Sequence, residues 1–421
     1  MDTYTPGRLS DATRGGAAHT PESAQRRTTR VPATMRAVLA LLPRLSHGAL
    51  ALTTPDGATR TYGNADGAAA AALAMRDWSV ATDVVSRGDV GFAEAYIDGR
   101  WDTPDLVRLL TLLAANQPAL ERAFYGRAPA RALLRLKHLL RANTRWRARR
   151  NIVAHYDLGN AFYALWLDPT MTYSSALFHG DFTQSLEAAQ RAKYARAFDE
   201  LALPAGGTVL EIGCGWGGFA EHAALGGARV TGISLSEAQT AYARTRAGGY
   251  AGLPGSVDLH LRDYRDVRER YDAVASIEMI EAVGERWWPA YFRAVHDALN
   301  PEGRACIQAI TIADARFDRY RAQSDFIQQY IFPGGMLPSP TRLVADAAAA
   351  GLALLRVERF GHDYAETLKR WLATFDAQAH AVRALGFDAR FIRCWRFYLA
   401  YCAAGFATGT TDVAQYTFAR R

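Results

Sequence analysis

The stretch Thr208-Val209-Leu210-Glu211-Ile212-Gly213-Cys214-Gly215-Trp216-Gly217-Gly218-Phe219-Ala220 decides how this chain is read. Residues 208–212 read as a β-strand, the glycines as a turn, and a helix begins near Gly218. Glycine has no Cβ, so the turn exposes backbone N–H groups and lets a ligand approach the main chain. At the carboxyl end of the first strand of a doubly wound sheet, such a turn receives a nucleotide-like ligand. The dinucleotide fingerprint needs G-x-G-x-x-G/A and an acid at the end of the next strand. Here the glycines run G-C-G-W-G-G behind Glu211, and the next strand, 228–233, leads into Ser234-Leu235-Ser236 with no carboxylate. A nicotinamide or flavin site is disfavoured.

Outward from this turn, strands and helices alternate. A helix over 185–201 precedes the first strand. Strands follow at 208–212, 228–233, 257–261, 272–276 and 304–311, with helices near 218–225, 236–247 and 287–299. That alternation predicts a parallel sheet with helices on both faces. An aromatic insertion runs from Asp314 to Pro340. A strand at 353–359, a helix bundle at 365–406 and a strand at 413–419 close the chain. Toward the amino end, residues 1–34 read as disordered, rich in Thr, Ala, Arg, Gly and Ser. Residues 35–120 read as a small separate unit. It has a helix from Met35 to Leu45 and a hairpin, Ala49–Thr54 with Thr59–Tyr62, around Pro55-Asp56-Gly57. The alanine-rich run Ala65–Asp77 leaves strand or helix undecided. Residues 121–150 form a basic linker, and 151–421 form the sheet domain.

With 421 residues and a hydrophobic fraction of 49%, the chain has room for two domains and a large core. No uninterrupted apolar run approaches the ~20 residues of a membrane span. Cys214, Cys306, Cys394 and Cys402 show no zinc-type spacing, so a reduced, cytoplasmic, metal-free protein is expected. The net charge of +7 has a local source. From Arg122 to Arg150 the chain carries many arginines and no acid, with Leu133, Leu134, Leu136, Leu139 and Leu140 interleaved. A basic amphipathic helix of this type suits an anionic membrane surface. A solvated inter-domain helix is the plainer alternative. No recognition motif supports nucleic acid.

The pattern E-x-G-x-G-x-G resembles motif I of S-adenosylmethionine-dependent methyltransferases. Other strings narrow the likeness: His155-Tyr156-Asp157-Leu158-Gly159-Asn160, Asp168-Pro169-Thr170-Met171-Thr172-Tyr173-Ser174-Ser175-Ala176, Glu278-Met279-Ile280-Glu281-Ala282-Val283-Gly284, Tyr330-Ile331-Phe332-Pro333-Gly334-Gly335 and Gly361-His362-Asp363-Tyr364. Joined to Ser234-Leu235-Ser236 and Gln239, and taken in order, they resemble the cyclopropane fatty acid synthase family, from about residue 150 to the end and more weakly before it. The segments at 278–284 and 308–311 look like an actinobacterial-type branch. The resemblance implies a Rossmann-like class I methyltransferase fold, a mostly parallel seven-stranded sheet beside a small N-terminal domain. It also implies S-adenosylmethionine as methyl donor, an unsaturated phospholipid acyl chain as acceptor, and a peripheral place on the membrane. A homodimer stays open.

Methyl transfer to a cis alkene leaves a carbocation. Losing a proton from the new methyl closes a cyclopropane, so the site must be dry, tolerate a cation and hold a base. In this family the base is thought to be bound bicarbonate. Carried over residue by residue, Gly213, Gly215 and Gly217 would line the methionine part of the donor, and Tyr173 and Ser174 would close over it. Ser234, Leu235 and Gln239 would hold the ribose. Arg262 and Asp263 follow the third strand, where Asp263 can accept from the adenine amino group or be an ordinary loop acid. For bicarbonate, Glu281 matches the family's carboxylate, Ile310 its backbone contact and Tyr364 its hydroxyl donor. Two positions depart: Ser175 stands where the family often has Cys, and Gln308 where it often has His. Glu278 adds an acid where many members have a small residue, and is a candidate protein-borne base.

The first reading is a lipid methyltransferase that makes cyclopropane acyl chains. A neighbouring reading is methylene- or methyl-branched fatty acid formation, since the same cation can lose its proton after a hydride shift. A soluble small-molecule methyltransferase and a non-catalytic lipid-binding protein are the alternatives. The glycine turn, Gln239, Glu281 and Tyr364 speak against the last.

Overall fold

A computed structural model describes residues 31–64, 70–117, 158–248, 252 and 254–421. The basic segment 121–150, residues 1–30 and the His155-Tyr156-Asp157 string lie outside the described residues.

Val209, Leu210, Ile212, Val274, Ala275, Ala305 and Ile307 are nearly all apolar and fully buried, the pattern of strands covered on both faces. They belong to a seven-stranded sheet built from β5 (Thr208–Ile212), β6 (Arg229–Ser234), β7 (Ser256–Leu261), β8 (Tyr271–Ile277), β9 (Leu299–Ile312), β10 (Leu352–Arg359) and β11 (Thr411–Arg420). The order is β10-β11-β9-β8-β5-β6-β7, with β11 antiparallel to both neighbours and the other pairs parallel. The expected fold class is therefore present, and strand boundaries shift outward mainly at β9 and β11. From β5 the chain winds one way to β6 and β7, then returns to place β8 on the other side of β5. This reversal leaves a crevice at the carboxyl ends of β5 and β8.

Helices Gly361–Ala377 and Ala389–Ala407, with a short one at Ala379–Ala384, form the bundle expected over 365–406. Trp371, Phe375, Trp395, Phe397 and Leu399 are buried along them. The aromatic insertion contains helix Asp314–Arg321 and a wide helical turn, Ile327–Ile331.

The N-terminal unit is a four-stranded sheet in the order β2-β1-β3-β4. The hairpin of β1 (Ala49–Thr53) and β2 (Thr59–Gly63) is as expected. The undecided alanine-rich run contains β3 (Ala71–Met75), parallel to β1, and β4 is Trp101–Asp102. The helix expected over 35–45 is Ala33–Leu39 followed by a 3₁₀ turn, Leu42–Arg44, because Pro43 interrupts the ladder. Three further helices, Ser79–Arg87, Asp89–Ile97 and Leu106–Ala115, complete it.

The unit is not an independent body. Its core is continuous with the helix Ala389–Ala407, where Phe92, Tyr96 and Trp101 cluster on Phe397. Arg393 fastens the seam: it donates from Nε to the Tyr96 carbonyl (2.6 Å) and from Nη2 to the Trp101 carbonyl (3.1 Å). Its guanidinium also lies 3.9 Å from the Tyr96 ring centroid.

Candidate active site

Two cavities meet at the crevice. The smaller, about 160 Å³, is lined by Gly213, Gly215, Ser234, Leu235, Gln239 and Arg262, among others. The larger, about 570 Å³, is walled by the aromatic residues Phe332, Tyr364, Phe397, Tyr398 and Phe406, and Phe92, Leu110 and Leu113 of the N-terminal unit close one side. Tyr173, Glu278 and Ala282 line both. A smaller space bounded by the glycine turn thus opens beside a larger, more apolar one, with Glu278 and Tyr173 at the junction.

The turn is built as the glycines require. Gly213, Gly215 and Gly217 have φ of +88°, +51° and +85°. A Cβ at Gly213 would stand 2.8 Å from Met279 Cγ, whereas at Gly215, which lines the donor cavity, it would meet no protein atom within 4 Å. Gly217 does not line the cavity. It caps the helix Gly218–Leu225 in a left-handed conformation, and a Cβ there would press on Ala243 (3.1 Å). Of the three glycines expected to line the donor, Gly213 and Gly215 border the cavity and Gly217 packs behind the turn.

Glu211, at the end of β5, lines the donor cavity and is buried. Its Oε2 has no hydrogen-bond partner, and burial lifts it to about 8 despite nearby Lys193. A carboxylate left unsatisfied in such a place invites a cation. The ammonium of the methionine part of the donor is of that kind, so the residues fit S-adenosylmethionine.

Ser234, Leu235 and Gln239 line the cavity as expected for the ribose end. Arg262 does too, its guanidinium donating to Glu269 (2.9 Å). Asp263 does not line it: its carboxylate accepts from the Arg265 backbone N–H (2.9 Å) and from Arg265 Nε (2.8 Å). The structure ties this acid to its own turn and does not bring it to the cavity, so the adenine role has no geometric support here.

The acidic centre differs from the expected arrangement in a specific way. Glu278 follows β8 with φ of +50°, a strained conformation for a residue with a side chain. Its Oε1 accepts from the Ser175 backbone N–H (2.8 Å) and from Gln308 Nε2 (2.8 Å), and its Oε2 accepts from the Tyr364 hydroxyl (2.7 Å). Glu281 Oε1 accepts from the Ile310 backbone N–H at 2.5 Å, while its Oε2 is buried without a partner. Burial, and then the Glu278 charge, lift Glu281 to about 8. Burial also raises Glu278, against the pull of its three donors and Lys193.

Besides Glu281, the resemblance brings four hydrogen-bond donors to bicarbonate: Ile310 and Tyr364 as matches, and Ser175 and Gln308 at the two positions that depart. In the structure all four donate to protein carboxylates, and the Ser175 hydroxyl turns away to the Ala176 carbonyl (2.9 Å). The residues present do not fit a bound bicarbonate on these donors.

Three residues around this centre are not candidates on sequence grounds. Lys193 is fully buried, donates to Ser174 Oγ (2.6 Å), and is drawn down to about 7 by burial against the pull of Glu278, Asp168 and Glu211. The signal was a lysine on the buried side of the helix Leu186–Glu200, beside Ala189, Gln190 and Ala197. Gln415 on β11 pairs with Gln308 across the sheet and donates to its Oε1 (3.1 Å), which aims the Gln308 amide N–H₂ at Glu278. Glu211 is the third. Tyr173 and Ser174, expected to close over the donor, both line the smaller cavity, and the Tyr173 hydroxyl is hydrogen-bonded to that of Tyr398 (2.6 Å). Among the described residues, no cluster of His, Cys, Asp and Glu is suited to a metal, and no helix is long and apolar enough to cross a membrane.

Residues 143–416 match the family described as mycolic acid cyclopropane synthetase. The chain belongs to this family. It is 41% identical over 384 residues to the tuberculostearic acid methyltransferase UfaA1 of Mycobacterium tuberculosis, spanning 89% of this chain and 88% of that one. It is 32% identical over 360 residues to the cyclopropane-fatty-acyl-phospholipid synthase of Escherichia coli K12, spanning 84% and 89%. Among solved structures, the mycolic acid cyclopropane synthase CmaA1 complexed with SAH and CTAB superposes with a TM-score of 0.60 at 32% identity, covering 65% of this chain and 98% of that one. As a member of this family, the protein is an S-adenosylmethionine-dependent methyltransferase.

Proposed function

We propose that this enzyme transfers a methyl group from S-adenosylmethionine to the cis double bond of an unsaturated phospholipid acyl chain and closes a cyclopropane ring. The observation that carries this reading is the meeting of two cavities at Tyr173 and Glu278, the smaller bounded by the glycine turn and the buried Glu211, the larger walled by aromatic residues.

S-adenosylmethionine supplies an electrophilic methyl on a sulfonium. The chain's own groups do the rest. The turn and Glu211 hold the donor, and Ser234, Leu235 and Gln239 fit its sugar end. The apolar cavity excludes water, which would otherwise capture a cation. Tyr173, Phe332, Tyr364, Phe397, Tyr398 and Phe406 offer electron-rich ring faces there, an environment that favours positive charge. The proton is then lost from the transferred methyl.

A second product reading has its own support. The relative at 41% identity is a tuberculostearic acid methyltransferase, which favours an exo-methylene chain formed from the same cation by a hydride shift and loss of a proton. The test is mass spectrometry of defined unsaturated phospholipids incubated with labelled methyl donor. A labelled cyclopropane supports the first product and a labelled methylene the second. No label in lipid under donor-saturating conditions would remove both.

A further inference from the structure

We infer that Glu278 itself removes the proton from the carbocation, so that this enzyme carries its base as a side chain and does not use a dissolved anion. The inference rests on the methylation of an alkene argued above, and on the geometry of one carboxylate.

Glu278 lies at the junction of the donor and acyl cavities, where a methyl passing from one to the other must travel. Its Oε1 is held by two N–H donors, one from backbone and one from an amide. Gln415 fixes that amide's orientation, because the Gln308 oxygen is used as acceptor for Gln415 Nε2. Gln415 also donates to the Lys193 carbonyl (3.2 Å), tying this network to the helix that carries the buried cation. Donors of this kind demand a charged or carbonyl-type oxygen, so the site is arranged for the ionised carboxylate. Oε2 takes one hydroxyl hydrogen bond, from Tyr364. A carboxylate oxygen has two lone-pair directions, so a second remains for a proton. Burial favours proton uptake by such a group, and the left-handed backbone at Glu278 shows that the fold holds this side chain in place at some cost.

The step balances without a further reactant. One C–H bond of the transferred methyl breaks, and its electron pair forms the new carbon–carbon bond to the cationic carbon. The proton goes to Glu278 Oε2. The neutral acid returns its proton to water once the product has left. If a hydride shift comes first, the same proton loss forms a methylene double bond, so Glu278 serves either product. Glu281, raised to about 8, stays largely neutral beside it and does not compete for the proton. Tyr364 and Gln308 act here as positioning residues.

The test uses the purified full chain, vesicles of an unsaturated phosphatidylglycerol, labelled methyl donor, and buffer stripped of carbon dioxide. Wild-type turnover should be the same with and without added bicarbonate. Glu278→Gln keeps the shape but removes the charge, and should lose about 100- to 10,000-fold in turnover while calorimetry shows donor binding retained. Glu278→Gly removes the side chain, and added formate should restore part of its activity. Stimulation of the wild type by bicarbonate, or full turnover by Glu278→Gln, would overturn the inference, and the first of these needs no variant to fold. A wild type that binds donor but labels no lipid under any condition would instead refute the methylation reading, and this inference with it.

Discussion

If Glu211 receives the ammonium of the methyl donor, donor binding must be linked to proton release. Burial holds the free carboxyl at about 8, so at pH 7 it is about nine-tenths protonated. The ammonium needs the ionised form. Binding at pH 7 should therefore release just under one proton and be about 1.4 kcal/mol weaker than with Glu211 already ionised. Between pH 6 and 7 the protonated excess falls from about 100:1 to about 10:1, so affinity should rise nearly tenfold. The donor's own amine stays mostly charged in that window. The sign follows from the direction of the shift: a carboxyl raised by burial opposes a cation until it loses its proton, so affinity climbs with pH. Titration calorimetry in two buffers of different ionisation enthalpy reads both quantities. Glu211→Gln should abolish the linkage and lose a hydrogen bond to a charged group worth about 1.5–3 kcal/mol, so at pH 7, where ionisation already costs about 1.4 kcal/mol, binding should weaken by at most about 1.6 kcal/mol, and by more as pH rises. Affinity flat between pH 6 and 7, with one enthalpy in both buffers, would refute the placing of the ammonium at Glu211.

Gly215→Val should abolish donor binding in a folded protein, since its side chain would enter a lining position of the donor cavity and its φ of +51° adds strain of about 1–3 kcal/mol; calorimetry on a variant with unchanged circular dichroism checks this, and full affinity would contradict it. Arg393→Met removes two hydrogen bonds to backbone carbonyls, a longer ion pair with Asp102 (3.5 Å) and a ring contact, which are not additive and together are worth about 3 kcal/mol. Amide exchange in residues 71–115 should then speed up about a hundredfold, with a raised KM for lipid and unchanged donor affinity; unchanged exchange would mean the seam does not depend on Arg393. The basic segment 122–150 is expected to dock on anionic membrane, each cation contributing about 1 kcal/mol. Vesicle sedimentation should show binding that falls as salt rises or as anionic lipid is removed, and binding indifferent to both would make the segment a domain contact.

Much of the methyltransferase domain is local in origin and so was legible. Strand period, helix signals and the glycine turn are properties of neighbouring residues, and they placed β5 to β9 and the turn at 213–217, while the family resemblance pointed to Ser234, Leu235 and Gln239, which line the smaller cavity. The order of strands, with β11 inserted antiparallel between β9 and β10, is a pairing across a hundred residues that local pattern does not specify. The N-terminal unit shows the same division. Its hairpin is read from Pro55-Asp56-Gly57, but its place as one wall of the larger cavity comes with packing on Arg393 and Phe397, some three hundred residues away.

The site divides along the same line. The sequence by itself determined which residue types are present for the chemistry: Glu278, Glu281, Tyr364, Gln308 and Ser175 all appear in recognisable strings. What each one touches depended on distances in three dimensions. Ser175, Gln308 and Tyr364 come from three separate segments, and their shared partner is a side chain of the protein. Asp263 and Gly217 stay off the lining of the smaller cavity for an equally spatial reason, since one is held by Arg265 and the other packs behind the turn on Ala243. Lys193 and Glu211 gain significance because folding removes them from water, where an unpaired charge becomes costly and therefore specific. A sequence names its ionisable groups, but desolvation and hydrogen bonding assign their protons, and those arise only when the chain closes around them.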